Sequence, residues 1–165
     1  MLILNDRQIR QKAKRMALEI LEKNHEHKKI YFLGINNKGF SFAQLLSQEV
    51  AKLHEGETIL RRLKINPASP IEQPIVIENF DTDDYNNAVV IITDDVANTG
   101  RTLFYAFKPL LDRLFESIQV AVLVDRKHKT FPILVDFVGL SLSTTFNENI
   151  LAKFGDPLDL SVHLE

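Results

Sequence analysis

Residues Val89–Thr102 read VVIITDDVANTGRT. Together with Ala88 they begin as an unbroken apolar run, rich in Val and Ile, with no polar alternation up to Thr93. Such a run describes a strand buried on both faces, as at the centre of a parallel sheet. Two carboxylates, Asp94 and Asp95, stand at its end. The stretch Val96-Ala97-Asn98-Thr99-Gly100-Arg101-Thr102 then leads directly into helical periodicity.

The flanking sequence alternates in the same way. Ile9, Ala13, Met16, Ile20 and Leu21 fall at helical spacing, which predicts an amphipathic helix over 6–24, started by Asn5 and Gln8 as a capping pair. Lys29–Ile35 reads as a buried strand, closed by Gly34 and Gly39. Residues 40–54 resume helical spacing through Ala43, Leu46, Val50 and Leu53, and Thr58–Ile65 is a strand. Residues 66–87 carry Pro67, Pro70 and Pro74 and neither Lys nor Arg, which marks a lid or flexible insertion with one short strand at Ile75–Ile77. After the central strand, a helix is expected over 101–115. Its stripe would be Leu103, Ala106, Phe107, Leu110, Leu111 and Leu114, kinked or restarted at Pro109. Strands follow at Ile118–Val124 and Val135–Leu142, and the tail closes as a hairpin around Gly155-Asp156-Pro157. This alternation predicts a single α/β domain over 1–165, an open and mostly parallel twisted sheet flanked by helices.

Bulk properties narrow the class. With 45% hydrophobic and 25% charged residues the chain is of ordinary globular composition, and a formal charge of −2 gives no electrostatic bias toward nucleic acid or an anionic membrane. The absence of cysteine excludes disulfides, thiolate metal sites and a cysteine nucleophile. MLILNDRQIRQKAKR lacks the apolar core of a signal peptide, and no later run approaches membrane-spanning length, so a cytoplasmic protein is expected.

The loop after the central strand suits an anion beside a polyol. Gly100 lets backbone approach a ligand closely. Thr99, Thr102 and successive amides can donate to phosphate oxygens, and the helix start adds unsatisfied N–H groups and a positive dipole end. Asp94 and Asp95 would repel phosphate, but they suit sugar hydroxyls, which donate to carboxylates, or a hydrated Mg2+ ion. Phosphate at one end and hydroxyls at the other describe a ribose 5-phosphate site. An Asp pair alone also occurs in phosphatases and receiver domains, or simply ends a strand; the Thr-Gly loop that follows separates this string from those.

The full string resembles the phosphoribosyl pyrophosphate signature of type I phosphoribosyltransferases. Val122–Gly139, VLVDRKHKTFPILVDFVG, resembles the matching stretch of the bifunctional pyrimidine-operon attenuator and uracil phosphoribosyltransferase family, and Gly34–Gly39, GINNKG, is similar to that family's pyrophosphate loop. The resemblance implies a Rossmann-like fold with a small hood and a flexible lid, a Mg2+ requirement and a homodimer. It implies that Asp94 and Asp95 hold the ribose hydroxyls and that Ala97, Asn98, Thr99, Gly100, Arg101 and Thr102 cradle the 5-phosphate. Asn36, Asn37 and Lys38 would contact pyrophosphate, with a strained or cis peptide among them. Phe137 would stack on the base while the backbone of Val138 reads its edge, and Arg126 would lie near the base or the pyrophosphate.

Departures from the pattern bear on the substrate. Asn98 stands where purine-type members place an acidic residue, and it cannot act as a base. Leu63-Lys64-Ile65-Asn66-Pro67 replaces the attenuators' Tyr-Arg-Asp-Asp, leaving Arg61, Arg62 and Lys64 as the nearest cations to pyrophosphate. Leu-Ser-Leu-Ser follows Gly139 in place of Lys-Asn. The implied function is transfer of the phosphoribosyl group to a nucleobase, uracil favoured. The alternatives are a regulator that senses phosphoribosyl pyrophosphate or a nucleotide and contacts RNA, through a strip such as Lys12, Lys14 and Arg15, and a purine phosphoribosyltransferase. His128 sits in a matched motif; His25-Glu26-His27, His54 and His163 read as surface or strand residues.

Overall fold

The computed structural model describes residues 1–145, 147–155 and 159–165. In chain order the elements are β1 (Leu2–Leu4), α1 (Asp6–Asn24), β2 (Lys29–Ile35), α2 (Asn36–Ala51), β3 (Glu57–Lys64), β4 (Val76–Ile77), β5 (Val89–Ala97), α3 (Arg101–Ala106), a 3-10 turn (Lys108–Leu110), β6 (Ser117–Arg126), β7 (Phe137–Leu142), β8 (Ile150–Lys153) and β9 (Ser161–Leu164). Six strands form one sheet in the order β4-β3-β2-β5-β6-β7, parallel throughout except for β4. β1, β9 and β8 form a separate antiparallel sheet of three strands, which corresponds to the expected hood.

The apolar runs become central strands because both faces of the sheet are covered. Phe32, Val89, Ile91 and Leu123 face α1 and α2, while Leu33, Val90, Ile92 and Val122 face the other way. The chain runs from β2 outward to β3 and then returns to the far side of β2 as β5. The carboxyl ends of β2 and β5 therefore flank a topological switch point, where open α/β sheets bind ligands.

α1 has the expected bounds. In its capping box the Asn5 side chain accepts from Gln8 N at 3.0 Å and the Gln8 side chain accepts from Asn5 N at 3.0 Å. At its far end the buried Asn24 exchanges two hydrogen bonds of 2.8 Å with Gln119 of β6.

Several boundaries differ from expectation. α2 begins at Asn36 rather than at residue 40, because Asn36 takes a left-handed φ of 51° and turns the chain straight from strand into helix. β5 continues to Ala97, so Asp94 lies within the ladder, paired with Val122. The helix expected over 101–115 stops at Ala106 and restarts only as the 3-10 turn around Pro109, whose nitrogen cannot donate to Tyr105. Beyond it the chain turns away, leaving Leu111 and Leu114 of the expected stripe 74% and 89% exposed. β1 has no counterpart in the sequence reading. The tail does pair as a hairpin, β8 on β9, but residues 156–158 of its expected turn lie outside the described residues.

The insertion 66–87 has two characters. Its second half packs on the sheet face that lacks a long helix. There Phe80, 1% exposed, meets Tyr31 edge-on at 5.4 Å and stacks on Tyr85 at 5.3 Å. The Arg113 guanidinium covers Phe80 and Tyr85 at 5.1 and 4.8 Å from their ring centroids and pairs with Asp81. β4, one residue shorter than expected, ties this half to β3. In the first half, residues 66–68 and 71–74 are exposed.

Phe80→Ala should therefore destabilise the protein by about 3–5 kcal/mol, the usual result of emptying a buried aromatic site. Chemical denaturation checks this, and a loss under about 1 kcal/mol would show that residues 75–87 do not belong to the cooperative core.

Candidate active site

Asp94 and Asp95 lie on β5 where it passes the start of α2. Asp94 is 9% exposed, and its Oδ1 accepts from Asp95 N at 2.9 Å. The close approach depends on Gly39: a Cβ there would stand 2.9 Å from Asp94 Oδ1 and 2.9 Å from the Thr93 carbonyl. Burial, and then the neighbouring carboxylate of Asp95, pushes the Asp94 carboxyl well above the usual range, while Lys38 pulls it the other way. Asp94 is thus a carboxyl that needs a hydroxyl donor or a cation to be comfortable as an anion.

The loop from Asn98 to Thr102 is held from behind. Gly100 has φ +83°, buried where its absent side chain would press on Lys129 and Ile133. The Thr99 carbonyl accepts from Thr130 N at 3.0 Å and from Phe131 N at 3.2 Å, and the Asn98 carbonyl accepts from Lys129 Nζ at 3.1 Å. Lys129 is itself anchored by Asp125 and by the Arg126 carbonyl. Thr99 Oγ1 accepts from Arg101 N at 3.3 Å, which leaves its own proton for an outside acceptor. No side chain bonds at the cap position of α3, and among the described residues only the Arg101 amide of its first turn meets a side chain, as a phosphate site allows.

Across the switch point, α2 also starts without a side-chain cap. Asn36 carries the strain expected of this loop in its positive φ, and no cis peptide occurs among the described residues. Its carboxamide clamps the end of β3, donating to Ile65 O at 2.9 Å and accepting from Ile65 N at 3.0 Å. That side chain holds the fold together, so only the backbone of Asn36 is available to a ligand. Asn37 and Lys38 are exposed. The cations of β3 are engaged elsewhere. Arg61 grips Asp83 at 3.0 and 3.1 Å, Lys64 pairs with Glu78 at 2.8 Å, and the Arg62 guanidinium lies 4.2 Å from the Phe40 ring centroid. Arg62, Lys64, Asn37, Asn66 and Gln73 line a cleft of about 640 Å³ beside α2.

On the opposite side, Arg126 is 9% exposed at the end of β6. It donates to Asn98 Oδ1 at 3.1 Å, Thr144 Oγ1 at 2.8 Å and Thr145 O at 3.1 Å. His128 Nε2 lies 2.6 Å from Thr144 O, which gives His128 a part in holding the same connection.

Phe137 and Val138 stand on β7 at the edge of the sheet. Phe137 is the first residue of β7, 4% exposed, packed in the core beneath the C-terminal turn of α1, with Lys23 Nζ 5.7 Å from its ring centroid. Although it starts its strand, it pairs with Ala121 and Val138 pairs with Val122, which sets the two residues across β6 from Thr93 and Asp94. The Val138 carbonyl accepts from Arg15 of α1 at 3.0 Å. Sequence reasoning missed Thr144 and Thr145, and missed β8, whose Leu151 and Ala152 share a cleft with Asn37 and Lys38. Neither carries a motif; only the folded hood brings them to this edge. Among the described residues no group of three His, Cys, Asp or Glu could hold a metal, so a cation here would need oxygens from a substrate and water beside Asp94 and Asp95. No helix among the described residues is long and apolar enough to cross a membrane.

An open, mostly parallel sheet with a carboxylate pair and a Thr-Gly loop at its switch point defines a doubly wound α/β protein with its ligand crevice at that edge. The family model of the phosphoribosyl transferase domain matches residues 2–154. The chain is 36% identical over 163 residues to the bifunctional protein PyrR of Halalkalibacterium halodurans, covering 94% of this chain and 91% of that one. It is 33% identical over 162 residues to PyrR of Macrococcus caseolyticus, covering 94% and 92%. Among solved structures, the hypoxanthine phosphoribosyltransferase of Trypanosoma cruzi superposes with a TM-score of 0.77 at 15% identity, covering 98% of this chain and 94% of that one. The chain belongs to the type I phosphoribosyltransferase family, in its PyrR branch, and is a phosphoribosyltransferase.

The raised Asp94 carboxyl gives a signed prediction. From the ordinary carboxylate value upward, the folded state keeps a proton that the unfolded state has lost, so stability falls as pH rises through that window. Asp94→Asn removes the effect. Its denaturation midpoint should approach that of the wild type near about pH 3 and exceed it near about pH 8. Equal midpoints at both values would mean that Asp94 is not strained in the empty site.

Proposed function

We propose that this chain transfers the 5-phosphoribosyl group from phosphoribosyl pyrophosphate to a nucleobase, with uracil favoured, and releases pyrophosphate. The observation that carries this reading is the juxtaposition, within one strand-to-helix turn, of the Asp94–Asp95 pair and the Thr99–Thr102 loop that opens α3. Asp94 and Asp95 accept from the ribose 2- and 3-hydroxyls. Amides and hydroxyls from Ala97 to Thr102 hold the 5-phosphate. The opening amides of α2, with Asn37 and Lys38, face the pyrophosphate.

The chemistry follows from charge. As the bond from C1 to pyrophosphate lengthens, the sugar becomes positive and the leaving group more negative. The carboxylates stabilise the sugar, and the two helix starts stabilise phosphate oxygens at either end. No covalent intermediate is needed, because the rate gain comes from orientation and preorganised charge. Asp94 and Asp95 would hold a substrate-borne Mg2+ ion, which supplies neutralisation of the departing pyrophosphate. A cytoplasmic homodimer completes the reading. It is supported by an exposed apolar cleft of about 420 Å³ formed by Phe104, Tyr105, Phe107, Leu111, Pro132 and Ile133, which a second copy would cover.

A regulatory reading has its own support. Arg61, Arg62 and Lys64 are all engaged within the fold, whereas the charge of Lys38 acts on Asp94. A site so short of cations suits binding better than rapid turnover, and the name bifunctional carried by the relatives is compatible with a second role. A purine substrate has less support, since the neighbours named for hypoxanthine are 14–19% identical and bear on the fold alone.

Pyrophosphate release, measured with phosphoribosyl pyrophosphate, Mg2+ and a panel of bases, should occur with uracil and stop on chelation. Tight binding without release on any base would leave the regulator. Asp94→Asn with Asp95→Asn should weaken phosphoribosyl pyrophosphate binding by about 100-fold or more, as expected from losing two charge-assisted hydrogen bonds. Undiminished affinity would remove the ribose role. For RNA, a flat dependence of affinity on salt would argue against phosphate contacts.

A further inference from the structure

We infer that Asn98, oriented by Arg126, reads the carbonyl oxygen next to the base nitrogen that becomes ribosylated, and so selects 2-oxopyrimidines. The inference rests on the reaction proposed above.

The orientation of Asn98 follows from elementary chemistry. A guanidinium has donors only, so the Asn98 atom 3.1 Å from Arg126 must be the amide oxygen. The NH2 group therefore points away from Arg126, and it donates to no protein atom among the described residues. Asn98 is exposed, yet it is held twice: its carbonyl by Lys129 at 3.1 Å and its side chain by an arginine that Thr144 and Thr145 fix in turn. An exposed amide held at both ends presents a preset donor. The positive charge on its oxygen side makes that N–H a stronger donor.

Its location suits an entering base. Lys38 and the start of α2 lie on the β2 side of Asp94 and Asp95, whereas Asn98 bonds across to Arg126 at the end of β6. Displacement at a saturated carbon brings the nucleophile in opposite the leaving group. With pyrophosphate on the α2 side, the base enters from the side of Asn98 and Arg126.

The bond changes require such a donor. The base nitrogen loses its proton to solvent. Its lone pair forms the bond to C1, and the bond from C1 to oxygen breaks with its electron pair leaving on pyrophosphate. The charge on the deprotonated base is shared with the adjacent carbonyl oxygen, where the Asn98 NH2 would stabilise it. A base that presents N–H at that place would meet donor against donor.

Uridine 5-phosphate and its 2-thio analogue, whose sulfur is a poor acceptor, isolate this contact. Calorimetry on the wild-type protein should show about a tenfold preference for the oxygen form, the ratio expected of one hydrogen bond. Asn98→Ala should reduce that preference to about twofold or less. Because Asn98 is exposed, folding should survive, and Asn98→Asp, an acceptor in place of a donor, should also lose the preference. If Asn98→Ala keeps the preference, or the wild type has none or does not bind uridine 5-phosphate, the inference is wrong. If the preference behaves as stated but no base releases pyrophosphate, the transferase reading fails and the assignment of Asn98 stands. Release with uracil alongside a preference indifferent to Asn98 gives the converse.

Discussion

The close approach of Asp94 to the backbone of Gly39 is the constraint on which the rest of the site depends. β5 is buried on both faces, so its two carboxylates can emerge only at its carboxyl end, and there α2 is already passing. A side chain at position 39 would displace either Asp94 or the Thr93 carbonyl. The absence of that side chain lets the helix start, the carboxylate pair and the Thr-Gly loop occupy one small region. The arrangement burdens the empty protein with a buried carboxyl beside a second one, which is the usual relation between a binding site and stability.

The two helix starts at the switch point are organised by opposite means. At α2, Asn36 adopts a left-handed conformation and its carboxamide clamps Ile65, so side-chain bonds fix the backbone and leave the amides open. At α3, Gly100 adopts the left-handed conformation freely, and the loop is fixed from outside by Lys129, Thr130 and Phe131. Both present helix-opening N–H groups toward the same region, which suits a ligand with phosphate at two ends. The segment between β3 and β5 contributes differently: its aromatic half replaces a helix as cover for the sheet, and its acidic residues engage Arg61, Lys64 and Arg113.

Much of the fold and of the sugar-phosphate half of the site was legible along the chain. Ala88–Thr93 is apolar without alternation because both faces of β5 are covered. Ile9, Ala13, Met16 and Ile20 repeat at helical spacing because only one face of α1 is buried. Asp94, Asp95, Thr99 and Gly100 are neighbours in sequence, so their chemistry survives being read as a string. The level of Asp-Phe-Val-Gly in the sheet is not legible in the same way, because the pairing of Phe137 and Val138 with Ala121 and Val122 is what sets them across β6 from Thr93 and Asp94.

The sequence by itself determined the layered α/β class, the central strand and the carboxylate–loop–helix string, because each depends on residues within a few positions of one another. Only the tertiary structure decided which strand ends meet. Thr144 reaches Arg126, Asn36 reaches Ile65, Gly39 admits Asp94, and β8 faces Asn37. These contacts join residues far apart along the chain through strand order and register, which local periodicity does not encode. The orientation of Asn98 is the clearest case: its residue type was plain from the string, but the direction of its amide is set by an arginine from the neighbouring strand.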